Sequence, residues 1–465
     1  MFVPLLPENN EKEERNMGET TATIEKMIMA LLEERKYPTL RDVLNTMAPP
    51  DIAALFDNLP EEKLPLLFRL LSKELAAESF VEMDSDLQES LIRGFSDNEL
   101  RQVMDELYVD DAVDIIEEMP ANVVRRILRH TDPDMRKMIN EILKYPDDSA
   151  GSIMTTEYVN FNPDLTVSEA IKNLRRSGVD KETIYSCYVT EKDRKLIGIV
   201  TVRRLLMADD DDFIREIMEE NVLSVNTVDD REDVANKFAK YGLLALPVVD
   251  GENRLVGIVT VDDAIDVIRE EATEDIEKMA AITPTDKPYL KTSAFELWKA
   301  RVPWLLLLMI SSTLTGIIIM RFEAALAATG ILAAYIPMLM GTGGNSGSQA
   351  SVAVIRGLSL EEIEFSDIFR VQWKEIRVSV MCGVTLAVAN FAKLLFLDRV
   401  GMMIALAVSL ALAVTVVTAK VVGCSLPILS KKIGFDPAVM ASPFITTIVD
   451  SISLLIYFCF ASILL

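Results

Sequence analysis

The chain has 465 residues and a formal charge of −25, and half of its residues are hydrophobic. Residues 301–465 hold 11 Lys and Arg against 9 Asp and Glu, so the acidic excess lies in residues 1–300. An acidic half without a basic face excludes nucleic acid as a partner. One histidine and four scattered cysteines exclude multi-histidine metal sites, zinc-type spacings and a disulfide framework.

Residues 1–20 read as a tail. MFVPLLPENNEKEER has no basic stretch followed by an apolar run, so it is not expected to be a secretory signal. Residues 21–145 read as short helices stacked in hairpins, an all-α superhelical domain. Apolar residues recur at helical spacing in KLPLLFRLLSKELAAESF, ELRQVMDEL and DDAVDIIEEM, with acidic or proline breaks between them. Residues 146–270 contain an internal repeat. LIGIVTV at 196–202 recurs as LVGIVTV at 255–261, each preceded by an apolar strand, IYSCYVT or ALPVVD. Ile153-Met154 and Ile217-Met218 stand near the start of the two units. The repeated strand–helix–strand–strand–helix unit resembles a tandem pair of α/β CBS domains.

Residues 263–283 are expected to form one helix, within a connecting segment that runs to residue 300. Ile265, Ile268, Ala272, Ile276 and Met279 make its apolar stripe. Asp263, Asp266, Glu270 and Glu274 fall on another face, with Glu271 and Asp275 beside them. Like charges at this spacing repel. The row is either a solvated face or one that divalent cations neutralise.

Five apolar segments follow, at about 303–320, 325–354, 378–397, 401–424 and 439–464, each long enough to cross a hydrocarbon core of about 30 Å. Five spans put the two termini on opposite sides. Arg356, Arg370, Lys374, Arg377, Lys431 and Lys432 fall in the loops on the side of residues 1–300, and Arg321 and Arg399 in the others. That bias places the acidic half in the cytoplasm and the C-terminus outside the cell membrane. Lys393 and Lys420 are expected to snorkel or to face the interior near span ends.

Two features within these spans are costly in lipid. PMLMGTGGNSGSQAS at 337–351 brings Gly341, Gly344, Asn345 and Gln349 to membrane depth, where polar groups must be satisfied by protein or cavity water. Tight packing through small residues is the ordinary explanation for the glycines. The amides read as residues of a pore or a helix break. Asp450 is the only charged residue after Asp436. A carboxylate at that depth usually faces a bundle interior or a water-filled path.

PMLMGTGGNSGSQ, the ITTIVDS setting of Asp450, the CBS pair and the acidic helix together resemble the MgtE family of magnesium channels and transporters, over nearly the whole chain. The resemblance implies no catalytic residues. It implies a homodimer in a lipid bilayer with a central Mg2+ path, closed when cytoplasmic Mg2+ binds the soluble domains. Asp450 would be the pore carboxylate, holding a hydrated ion with help from Asn345, Thr446 and Thr447. The matching sensor acids are Glu78, Asp110, Asp114, Asp230, Glu232, Asp263, Asp266, Glu271, Glu274 and Asp275. Gly242 stands where the family has an acid. ATP is a further ligand of such CBS pairs. Thr260 and Asp263 fit its ribose-binding pattern, whereas Thr201 is followed by Arg204 where the acid belongs. Two alternatives remain open, a transporter of Co2+ or Mn2+ and a membrane protein that senses nucleotides through its CBS pair.

Overall fold

The computed structural model describes residues 23–178, 181–285, 287, 289–322, 330–440 and 442–464. The N-terminal tail therefore lies outside the described residues. The chain divides into two compact units, Met1–Val267 and Ile268–Leu465.

The first unit opens with short helices, from Tyr37–Leu44 to Pro133–Ile142. Local chemistry sets their ends. The Asp84 carboxylate accepts from Leu87 N, Ser96 and Glu99 form a reciprocal capping box, and Pro133 follows the Asp132 cap. Phe68, Phe80 and Phe95 meet with ring centroids 5.0–6.2 Å apart. Helix α1 (Val109–Glu118) buries Val109, Ala112, Val113, Ile115 and Ile116, and Asp110 with them.

Two three-stranded sheets follow. β1 (Val159–Phe161) runs parallel to β2 (Ser186–Thr190), which pairs antiparallel with β3 (Leu196–Thr201). β4 (Val225–Asn226), β5 (Ala245–Val249) and β6 (Leu255–Thr260) repeat that order. The repeats exchange their leading segments. Thr155 bridges to Ile258 on β6, and Glu219 bridges to Ile199 on β3. Gly198 and Gly257 make this close approach possible. A Cβ there would lie 2.6 Å from Met218 Sδ and 2.7 Å from Met154 Sδ respectively. One core runs from Ile28 and Phe56 through Ile142 into Val225, Phe238, Leu246 and Val259, joining the helical domain to the second repeat.

Helix α2 (Val261–Met279) is shorter at its end than the expected 263–283. Ala281 adopts φ +54°, and Ile282 N turns back to Glu277 O at 2.9 Å, which closes the last turn.

The second unit holds α3 (Ala294–Arg321), α4 (Ile336–Ser359), α5 (Ile368–Phe396), α6 (Met402–Ile433) and α7 (Ser442–Leu464). Among the described residues four helices, α3, α5, α6 and α7, are long and apolar enough to cross a membrane. Helix α4 has 24 residues, about 36 Å at 1.5 Å per residue, but its glycines and amides lower its hydropathy. It begins at Ile336 rather than near 325, with Pro337 in its first turn, and residues 323–329 lie outside the described residues. Lys420 is buried and faces the interior, 3.7 Å from Glu375. Lys393 sits near the end of α5, 3.3 Å from Asp398.

Candidate ion path and cation-binding acids

Helix α4 has two faces. Gly343, Gly344 and Gly347 are buried, and Gly341, Asn345 and Gln349, four residues apart, lie together on its exposed side. The buried glycines are packing positions. A Cβ on Gly344 would lie 3.0 Å from Thr446 Cγ2, and one on Gly347 would lie 2.8 Å from Ile445 Cγ2. At Gly341 a Cβ would meet nothing within 4 Å. Small residues thus draw α4 onto α6 and α7, while its amides are left facing away from the bundle.

Asp450 lies on α7 one turn beyond Thr446 and is half-buried. Among the described residues no hydrogen bond or ion pair reaches its carboxylate. The Thr446 and Thr447 hydroxyls both donate to Pro443 O, at 2.9 and 3.0 Å. Their donors are used and their lone pairs remain available to an ion or its water.

In the first unit the acids gather where α1, the CBS pair and the start of α2 meet. Asp110 is 6% exposed and its Oδ1 has no partner among the described residues. Burial, and then the charges of Asp263, Asp111 and Glu182, push its carboxyl well above the ordinary range. Burial and then neighbouring carboxylates push Asp111 up to about 7 and Glu182 to about 8, and burial pushes Asp263 to about 6, opposed by its Thr260 hydrogen bond and helped by Asp262 and Asp266. Asp263 also accepts from the Thr260 hydroxyl. Glu182 Oε2 is buried without a partner among the described residues, and Glu182 N donates to Glu157 O at 3.0 Å. Charges of one sign held this close favour either bound protons or a cation.

The other expected acids are placed differently. Glu78 and Asp114 are exposed. Asp230 caps the helix Arg231–Tyr241 by accepting from Glu232 N at 2.8 Å, and Glu232 follows it there. Gly242 closes that helix at φ +62°, a left-handed position that favours glycine. Asp266 is exposed, and its charge raises the carboxyl of Glu82 after partial burial does.

In the second unit Glu271 and Glu274 are half-buried. Lys278 Nζ lies 2.7 Å from both Glu274 and Asp436, and Asp275 accepts from the Ser359 hydroxyl at 3.4 Å. Among the described residues no three acidic, cysteine or histidine side chains converge closely enough to hold a bare ion. Asp111, Glu157, Glu182, Asp262 and Asp436 were not expected from the sequence. Asp111 and Asp262 adjoin predicted acids, but nothing local marks the others.

An acidic soluble half, continuous through one helix with a bundle that holds amides and a carboxylate at membrane depth, defines a multi-pass membrane protein that handles cations. Comparison with known proteins agrees. The family model described as "Divalent cation transporter" matches residues 336–460, the MgtE intracellular N domain matches 29–148, and CBS domains match 150–211 and 214–270. The magnesium transporter MgtE of Thermus thermophilus is 38% identical over 95% of this chain and 99% of its own. That of Bacillus subtilis is 32% identical over 94% and 96%. A solved structure of the cytosolic domain of the Mg2+ channel MgtE in complex with ATP is 37% identical, with a TM-score of 0.50 over 52% of this chain and 98% of that one. The chain belongs to the MgtE family.

Proposed function

We propose that this protein conducts Mg2+ across the cell membrane as a homodimer, and that cytoplasmic Mg2+ closes it. The observation that carries the reading is the half-buried carboxylate of Asp450, without a hydrogen bond or ion pair among the described residues, on the helix that packs against the glycine face of α4. Asn345 and Gln349 are too costly against lipid, so a second copy of the chain supplies the opposite wall. Two Asp450 carboxylates then hold a hydrated ion through its waters, loosely enough to release it. Loops rich in Lys and Arg put residues 1–300 in the cytoplasm. A bound divalent ion supplies positive charge to the buried acids Asp110, Asp111, Glu182 and Asp263, and among the described residues Asp110 Oδ1 and Glu182 Oε2 are left without a hydrogen-bond partner. Without it these acids repel, which weakens the packing of α1 against the start of α2. Uptake by proteoliposomes tests the transport reading. Mg2+ influx that exceeds Co2+ and Mn2+ influx is expected, and an absence of Mg2+ influx overturns it.

ATP fits the first CBS unit poorly. Arg204, where a ribose-binding acid would stand, carries no acceptor for a ribose hydroxyl and pairs with Glu219 at 2.9 Å. Asp263 is committed to Thr260 and the acid cluster.

Lys278 gives α2 a tether that needs no metal. A half-exposed ion pair contributes about 1 kcal/mol or less, so Lys278→Met is expected to speed proteolysis of the 280–292 linker a few-fold in EDTA. Added Mg2+ should restore protection, and equal cleavage rates in EDTA would remove the tether from the account.

A further inference from the structure

Lipid tails are as apolar as leucine, so two apolar helices in a membrane have little to choose between neighbouring registers. Helices α5 and α6 form a hairpin with three polar ties along it. Asn390 Nδ2 donates to Ser409 Oγ at 3.3 Å, Lys420 Nζ faces Glu375 Oε2 at 3.7 Å, and Gln372 Nε2 donates to Ser425 Oγ at 2.8 Å. Moving back along α5 the ties move forward along α6, as antiparallel packing of the two helices requires. Only the middle one is charged. Its lysine side chain is 7% exposed and its glutamate 16%, and Glu375 Oε2 has no hydrogen-bond partner among the described residues. The contact is a charge pair, in surroundings where an unpaired charge is costly.

The α6 turn that carries Lys420 also carries the contact with α4. Ala419 O would lie 3.2 Å from a Cβ on Gly347, and a Cβ on Gly423 would lie 2.2 Å from Gly347 O. Gly347 sits between Asn345 and Gln349, and its other neighbours are Ile445 and Val449, the latter adjacent to Asp450. A slip of α6 along α5 would therefore move α4 against α7 at the level of the proposed ion path.

We propose that Glu375 and Lys420 are positioning residues for ion conduction: their intramembrane charge pair selects the α5–α6 register that aligns the amides of α4 with Asp450. The inference rests on the transport reading above. Breaking a buried pair from one side leaves a bare charge, whereas removing both charges leaves a neutral contact.

The test is Mg2+ uptake by proteoliposomes at matched protein content, after size-exclusion chromatography has selected dimeric material. Glu375→Gln is expected to lose at least about tenfold in uptake, and the double variant Glu375→Gln with Lys420→Met to return to within about threefold of wild type. The exchanged pair, Glu375→Lys with Lys420→Glu, should also exceed Glu375→Gln. Undiminished uptake by Glu375→Gln overturns the proposal. So does a double variant as impaired as the single one, since Glu375 would then act without Lys420. Failure of wild type itself to take up Mg2+ would instead sink the transport reading.

Discussion

Asp450→Ala is expected to reduce Mg2+ uptake by proteoliposomes to background, a loss of at least about a hundredfold. Opposite charges of one and two units held 5 Å apart attract by about 7 kcal/mol at an effective dielectric of 20. Even half of that, lost from the site an ion must visit, exceeds the roughly 2.7 kcal/mol that a hundredfold change in rate requires. No other acid in residues 437–465 can take over. Asp450→Asn separates charge from shape. It keeps the volume and a polar carbonyl, removes a charge that costs several kcal/mol at membrane depth, and should fold at least as well as wild type. An Asn variant that conducts like wild type would show that the carboxylate is not the ion's partner. Asp450→Glu should retain partial uptake, because the charge persists about one carbon–carbon bond out of place.

The second large effect lies in the buried acids. Burial first, and neighbouring like charges after it, push Asp111, Glu182 and Asp263 up to about 7, 8 and 6, above the ordinary carboxylate range. Their folded carboxyls keep protons that the unfolded chain has already released. Stability from this source is therefore full below the unfolded range near pH 4, and is lost as the pH rises through about 6 to 8. Metal-free protein should melt several degrees lower at pH 8.5 than at pH 5. Mg2+ binds the deprotonated acids, so it should raise the melting temperature at pH 8.5 far more than at pH 5. The double variant Asp110→Asn with Asp263→Asn should flatten both dependences. It should also leave Mg2+ flux open at cytoplasmic concentrations that close the wild type. If wild-type melting responds to neither pH nor Mg2+, the acids are not the sensor.

Glycine shows how close packing divides one motif. PMLMGTGGNSGSQ reads as a single polar interruption of an apolar span. In the structure Gly343, Gly344 and Gly347 serve helix contact, while Gly341 opens onto free space beside Asn345. The repeat divides in a similar way. LIGIVTV and LVGIVTV announce two equivalent units, but Met154 and Met218 each complete the other unit's sheet. No local pattern distinguishes an exchanged segment from one that stays at home.

What the sequence determined by itself rests on short-range rules. Helical periodicity with acidic or proline breaks marked the N-terminal helices, a 59-residue offset between LIGIVTV and LVGIVTV marked the sheets, and run length against bilayer thickness marked the membrane helices. Asp450 stood out because cost in lipid depends on residue type and depth alone. Only the tertiary structure decided which charges meet. Asp110 and Asp263 are brought together from distant segments with Glu182, Lys278 closes onto Asp436, and Lys420 finds Glu375. Such pairings follow from how far-separated elements pack, and burial then sets what each charge costs and which partner it must have.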